Sequence, residues 1–157
     1  MKSHSRAVLI LALVALIVAV LRFFMQGWVE SLGIPIRIGS FFASITIVLL
    51  VGLVIIFVRE GLAANRRYLR AAAWYVPFAA WCQILVIAGI LITAQTGATT
   101  YYQDTMGDAH RAAPTPAQHA MMHAVAFLPI AAIGLIVGAF LYWVAGRGRR
   151  ANPALAN

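Results

Sequence analysis

Four long apolar runs constrain the fold of this chain more than any other feature of its sequence. They cover about residues 7–28, 38–58, 72–95 and 117–145. Each run has at least the roughly 20 residues that an α-helix needs to cross about 30 Å of hydrocarbon. The chain has 63% hydrophobic and 10% charged residues, whereas soluble domains have about 45–50% and 25%. The sequence therefore predicts an all-α integral membrane protein with four transmembrane helices.

The first run also begins like a signal peptide, because Lys2 and Arg6 precede 15 apolar residues, Ala7 to Leu21. A signal peptide ends at a cleavage site of small residues, and the segment 22–28 offers no such site. We therefore expect the run to be retained as the first membrane helix.

Basic residues are distributed unevenly between the two sides of the predicted helices. One side has nine of the twelve: Lys2, Arg6, Arg59, Arg66, Arg67, Arg70, Arg147, Arg149 and Arg150. Because an excess of lysine and arginine marks cytoplasmic loops, we expect both termini in the cytoplasm. We expect the chain in the plasma membrane, which in a bacterium is the inner membrane. Residues 146–157 are predicted to form a flexible, basic cytoplasmic tail.

The net charge of +8 does not indicate a nucleic-acid partner. The basic residues lie beside apolar runs, and the sequence contains no basic helix and no basic patch interleaved with aromatic residues, which are the features of a nucleic-acid surface. The charge is explained by membrane topology, and the expected partner is the lipid bilayer.

Short connections and small residues predict how the helices pack. Loops at about 29–37 and 59–71 join neighbouring runs, which makes consecutive helices antiparallel. In the fourth run, Gly134 and Gly138 are one turn apart, and such pairs let helix backbones approach closely in lipid. We expect one domain, an antiparallel up-and-down four-helix bundle.

Polar residues are concentrated in those halves of the runs that face the outer side. Arg22 and Gln26 lie one turn apart in the first run, Glu30 follows them, and Gln83 lies near the middle of the third run. Polar groups in a membrane are costly and usually face the bundle interior, so these residues are candidates for a binding cluster. Two simpler explanations stay open: Arg22 can extend to the headgroup layer, and Gln83 can form an interhelical hydrogen bond.

The stretch HRAAPTPAQHAMMHAVAF, residues 110–127, contains three of the four histidines. Its segment TPAQ, which starts at Thr115, has the pattern of a capping box with proline in the first helical position. A helix start at about residue 116 places His119 and His123 on one helical face at the outer membrane boundary. We expect both rings to turn toward the polar residues of the first run.

Two histidines on one helical face can share a metal ion if further ligands are supplied from elsewhere. The long loop at about 96–118 contains three candidate ligands: Met106, Asp108 and His110. Imidazole with thioether suits copper, and imidazole with carboxylate suits zinc. One interpretation is therefore a copper or zinc site built on His119, His123 and the loop residues. The other is a pair of interfacial histidines that bond to polar groups of the bundle.

The sequence does not indicate an enzyme. It contains no nucleophile with an adjacent base, no paired intramembrane carboxylates, no phosphate-binding glycine loop and no CxxC pair. We expect a non-catalytic accessory or stabilising subunit whose outer polar cluster contacts a larger membrane complex or a second copy, or binds a small polar molecule. The alternative is an outward-facing metal or redox-handling protein. A transporter is disfavoured, because a pathway needs polar groups along both halves of the bundle.

Overall fold

Four α-helices account for most of the chain that the computed structural model describes, which is residues 2–33, 44–98, 100, 102 and 114–151. They are α1 (Lys2–Ser31), α2 (Ile45–Leu62), α3 (Tyr68–Thr96) and α4 (Pro116–Ala151). These described residues contain no strand. Each helix is long and apolar enough to cross a membrane. The prediction of four apolar helices of spanning length is therefore confirmed.

The helices extend beyond the apolar runs where charged residues are helical. α2 continues from the predicted end at residue 58 to Leu62, and α3 begins at Tyr68 instead of about residue 72. α4 continues through Ala151, so residues 146–151 of the predicted flexible tail are helical. The arginines of the segment GRGRR favour this extension, because positive charge is stabilising near a helix C-terminus, whereas its two glycines oppose it. Residues 38–43 of the predicted second span and 152–157 of the tail lie outside the described residues.

Two helix ends are closed by capping hydrogen bonds, and the first of them was predicted from the sequence. At the start of α4, the Thr115 N–H donates to Gln118 Oε1 at 2.9 Å, and the Gln118 N–H donates to Thr115 Oγ1 at 3.2 Å. The predicted capping box is thus confirmed. α3 ends at Gly97, whose left-handed backbone (φ 64°) lets its N–H donate to the Thr93 carbonyl at 2.9 Å. These caps fix where the connection between α3 and α4 begins and ends.

The helices are arranged as a rhombus. α2 and α3 contact each other and both remaining helices, whereas α1 and α4 have at most slight contact with each other. α2 and α3 are therefore the central helices, and α1 and α4 are the flanking helices. In a square bundle, by contrast, the first and last helices would be neighbours.

Contacts between α1 and α3 show that these two helices run in the same direction. The Trp81 side chain donates from Nε1 to the Ala12 carbonyl at 3.1 Å. Tyr102, beyond the end of α3, donates its hydroxyl to the Ala19 carbonyl at 3.1 Å. Later residues on one helix thus meet later residues on the other.

The order of contacts is reversed between α3 and its other neighbours. Tyr68 donates its hydroxyl to the Leu135 carbonyl at 2.9 Å, while Gln83, later in α3, meets His123, earlier in α4. The short connection 63–67 likewise turns the chain back between α2 and α3. The four helices therefore alternate in direction along the chain.

This alternation gives the bundle two chemically different ends. The start of α1, the end of α2, the start of α3 and the end of α4 meet at one end, which we call the basic end. The described arginine side chains at this end are Arg6, Arg59, Arg66, Arg67, Arg70 and Arg147. The opposite end, where α4 begins, is called the histidine end because it contains His119 and His123.

Aromatic rings fill the centre of the bundle where glycines leave room for them. Gly52 faces Phe78, Gly134 faces Tyr75 and Gly138 faces Phe57. The three rings are at most 2% exposed. The sequence predicts that the two glycines of α4 admit a neighbouring helix backbone, whereas the structure places aromatic side chains against them. The close packing of α4 therefore depends on side chains from α2 and α3.

The flanking helices leave most of their apolar surface uncovered. On α1, Phe24 is 72% exposed, and on α4, Leu128 and Ile136 are 70% and 72% exposed. The three buried rings that face the glycines, by contrast, belong to the central helices. The outer faces of α1 and α4 therefore have the apolar character of a surface that contacts lipid or another apolar helix.

Candidate functional site at the histidine end

His119 and His123 form a pair of neighbouring rings in the first two turns of α4. Their ring centroids are 5.2 Å apart, with an angle of 45° between the planes. The capping box fixes the helix register, and the His119 N–H donates to the Thr115 carbonyl at 2.9 Å. Both side chains are half-buried. The pair therefore lies at the edge of the bundle with its helix register fixed.

His123 contacts a buried amide of α3. Its Nδ1 lies 3.3 Å from Gln83 Oε1, and Gln83 is 8% exposed. Because a carbonyl oxygen accepts, the ring nitrogen donates, and a neutral ring then has its lone pair on Nε2. Gln83 thus forms an interhelical hydrogen bond, which was the simpler of the two explanations for a glutamine at this position. This bond sets the tautomer of His123.

This contact corrects the expected direction of the His123 ring. The sequence predicts that the rings turn toward Arg22 and Gln26 of the first run, but His123 contacts Gln83 of α3. The reason is the rhombic packing: α4 packs on α2 and α3 and has at most slight contact with α1. The binding cluster predicted from Arg22, Gln26 and Gln83 is thus divided between two sides of α3.

Arg22 and Gln26 lie on the other side of α3, beside the segment that follows it. The Arg22 guanidinium carbon is 4.9 Å from the centroid of the Tyr102 ring, so this arginine faces the bundle. Gln26, one turn later, is 3% exposed. Burial raises the pKa of Tyr102 to about 12, although the nearby Arg22 guanidinium acts in the opposite direction. Tyr102 therefore stays a neutral hydrogen-bond donor at physiological pH.

Sequence reasoning missed the role of Tyr102, which holds the segment after α3 against the bundle. Its ring lies against Gly89 of α3, and its N–H donates to Thr100 Oγ1 at 3.1 Å. The hydroxyls of Thr100 and Thr93 are 2.8 Å apart. In the sequence, the one available signal is a glycine inside a helix, which marks a position where another group approaches closely.

The other predicted metal ligands and the remaining member of the predicted polar cluster lie outside the described side chains. Met106, Asp108 and His110 lie outside the described residues, as does the side chain of Glu30. Within the part of the chain that is described, no group of three or more histidine, cysteine, aspartate or glutamate residues could hold a metal ion. Of the five predicted metal ligands, His119 and His123 are the two that the described residues include.

The basic end contains a second polar cluster that sequence reasoning did not predict. Glu60 is completely buried (0% exposed) in the last turn of α2. Its Oε1 accepts from Arg70 Nη2 at 2.6 Å and from the Arg67 N–H at 2.8 Å. Arg70 Nη2 also donates to the Asn65 carbonyl. The carboxylate thus closes the connection 63–67 and supplies negative charge at the N-terminus of α3, where the helix dipole favours it.

The fold and its two polar ends are those of a four-helix chain with membrane-spanning dimensions. Neither a family model, nor a curated protein, nor a solved structure matches this chain.

Proposed function

We propose that this protein is a small multi-pass membrane protein that acts as a non-catalytic accessory or stabilising subunit of a larger membrane assembly. Four helices of spanning length support the membrane location. The histidine pair on flanking helix α4 is the observation that supports a partner. The half-buried rings lie beside strongly exposed apolar side chains, since Met121, Met122 and Val125 are 65%, 60% and 63% exposed.

Such a surface suits another membrane helix better than lipid alone. Polar side chains next to lipid are costly, and hydrogen bonds across helices can offset that cost. A partner helix with a donor or acceptor at this depth would pair with the imidazoles and cover the methionines. The partner is either a subunit of a different protein or a second copy of this chain.

The proposed orientation places both termini in the cytoplasm and the histidine end outside. Nine of the twelve basic residues of the sequence belong to segments at the basic end, and such an excess marks the cytoplasmic side. In a bacterium this location is the inner membrane. The histidine pair would then contact its partner near the outer membrane surface.

The accessory role can be tested by purification from native membranes in a mild detergent. We expect the 17.0 kDa chain to migrate in a larger particle of defined composition, and His119→Leu to release it. Leu69→Ala is a matched control, because Leu69 is 79% exposed at the opposite end of the bundle. Two results together would contradict the proposal. The wild-type chain would migrate only as a monomer, and deletion of its gene would leave the abundance of all other membrane proteins unchanged.

A second candidate function is the handling of copper or zinc by the histidine pair together with His110. The observation in its favour is the hydrogen bond of His123 Nδ1 to Gln83. Metal-binding histidines usually donate their other ring nitrogen to an oxygen acceptor, which orients the ring and raises its basicity. Met106 or Asp108 would complete the site, with copper favoured by the first and zinc by the second.

Titration of the purified protein with copper and with zinc tests this second function. We expect stoichiometric binding that His119→Ala or His123→Ala abolishes. Gln83→Leu should weaken binding by about 10–100-fold, the usual effect of removing a group that orients a ligand. The metal hypothesis fails if neither ion binds to the wild type, or if all three variants bind metal as tightly as the wild type does.

A further inference from the structure

The basic end contains far more positive than negative charge. Nine basic residues belong to its segments, and Glu60 is the one acidic residue of the sequence there. Glu60 is completely buried and already accepts from Arg70 and from the Arg67 backbone. Positive charge therefore exceeds negative charge in the segments at this end, which favours an anionic ligand there.

Arg66, one of the basic residues at this end, packs its guanidinium against α4. Its guanidinium carbon is 5.6 Å from the centroid of the Tyr142 ring. The guanidinium also lies against Gly146, one turn later, where a Cβ would collide with it. Because Arg66 belongs to the connection 63–67 that Glu60 closes, little conformational freedom is left to lose when a ligand binds.

Arg147 is held in the same way on the adjacent face of the same turn. Its guanidinium carbon is 3.8 Å from the centroid of the Trp143 ring. A guanidinium that stacks on an aromatic ring still presents its N–H groups at its edge, and these match the oxygens of a phosphate. Arg66 of the connection 63–67 and Arg147 of α4 thus lie beside two consecutive aromatic residues of α4, Tyr142 and Trp143.

We propose that Arg66 and Arg147 form a binding site for the phosphate of an anionic phospholipid, at the opposite end of the bundle from the histidines. The apolar surface beside the arginines favours a lipid over a soluble phosphate. Phe140 and Val144, on the same part of α4, are 62% and 45% exposed. An acyl chain can cover them while the headgroup contacts the guanidinium groups, whereas a free phosphate leaves them uncovered. Basic clusters next to a membrane helix generally attract anionic headgroups.

The test measures lipid binding by the full chain in a neutral detergent, from the rise in thermal unfolding midpoint and from native mass spectrometry. Phosphatidylglycerol should raise the midpoint saturably with about one tightly bound lipid per chain, because a single site is filled by one ligand. Phosphatidylcholine and inorganic phosphate should have little effect at the same concentration. Arg66→Gln should weaken phosphatidylglycerol binding about fivefold or more, which is the contribution of one arginine near an anionic surface.

Two substitutions that keep the net charge separate an oriented site from diffuse attraction. Gly146→Ala displaces the Arg66 guanidinium, and Arg66→Lys removes its planar edge; both should weaken binding by a factor similar to Arg66→Gln. Gly148→Ala is the matched control, because a Cβ at Gly148 meets nothing within 4 Å, and it should bind like the wild type. The unfolding midpoint without lipid shows whether each variant folds.

Three results would overturn the proposal. If Gly146→Ala and Arg66→Lys bind lipid like the wild type, the attraction is diffuse. If inorganic phosphate raises the midpoint as much as phosphatidylglycerol does, the site takes a soluble anion. If phosphatidylcholine binds equally well, the arginines do not select the headgroup.

Discussion

Replacing Gly134 by alanine should destabilise the protein, although alanine is the better helix former. Alanine gains about 1 kcal/mol over glycine within a helix. The added methyl group, however, would collide with the Tyr75 hydroxyl and ring, and overpacking a well-packed core costs about 1–3 kcal/mol. Tyr75 is 1% exposed and its ring centroid is 5.6 Å from that of Phe57, so it has no space to move into. The cost should be near the upper limit, which leaves a net loss of about 1–2 kcal/mol.

The assay is reversible unfolding in mild detergent, followed by circular dichroism. In a chain of this length, each kcal/mol lost from the free energy of unfolding lowers the Tm by about 2–4 °C. Gly148→Ala, in the same helix but with no atom within 4 Å of the new Cβ, should be neutral or stabilising. Because the Tyr75 hydroxyl is the nearest atom, Tyr75→Phe should recover part of the loss in a double-mutant cycle. Equal effects of Gly134→Ala and Gly148→Ala would refute the reasoning.

Three further predictions concern topology, the buried carboxylate and pH. Reporter fusions after Arg67 and after Asp104 should report opposite compartments, and identical signals would rule out the four-span orientation. Glu60→Gln should lower the unfolding midpoint, because the amide cannot neutralise Arg70; if Glu60→Gln combined with Arg70→Met is less stable than Glu60→Gln alone, the ion-pair explanation is wrong. Because the pKa of Tyr102 is raised from 10.0 to about 12, its contribution to stability is complete below pH 10 and is lost as the pH rises toward 12. The difference in stability between wild type and Tyr102→Phe should therefore shrink over that interval, and a constant difference would show that Tyr102 does not titrate there.

The helices and their registers could be predicted from the sequence because the relevant signals are local. Four apolar runs of spanning length predict four helices, and the segment TPAQ at Thr115 predicts the start of α4. That start in turn places His119 and His123 on one face, and the structure brings the two rings together. Each of these inferences needs only the geometry of a single helix.

The contacts between helices could not be predicted, because hydropathy does not say which helices are neighbours. The expected contact of the histidines with the first run assumed that α4 and α1 meet, whereas the rhombic packing gives His123 the amide of Gln83. Gly134 was recognisable as a packing position, but nothing local identifies Tyr75 as the ring that fills it. These assignments require the tertiary arrangement.

Glu60 was missed for a related reason. A charged Arg-Glu pair at the end of an apolar run usually indicates the beginning of a loop, so the sequence places residue 60 outside the second span. The helix continues because Arg70, ten residues later, returns to neutralise the carboxylate. Because Arg70 belongs to the next helix, the Glu60 carboxylate is neutralised only when the chain turns back between the two helices. A single-helix pattern in the sequence does not show this contact.

The near absence of contact between α1 and α4 also has a consequence for assembly. Each flanking helix packs on the α2–α3 pair almost independently of the other. The changes in the free energy of unfolding that substitutions on α1 and on α4 cause should therefore add. An incoming helix can lie along either flank while the other keeps its place. The chain is thus suited to being an interior member of an assembly, with one neighbour on each side, as well as a terminal one.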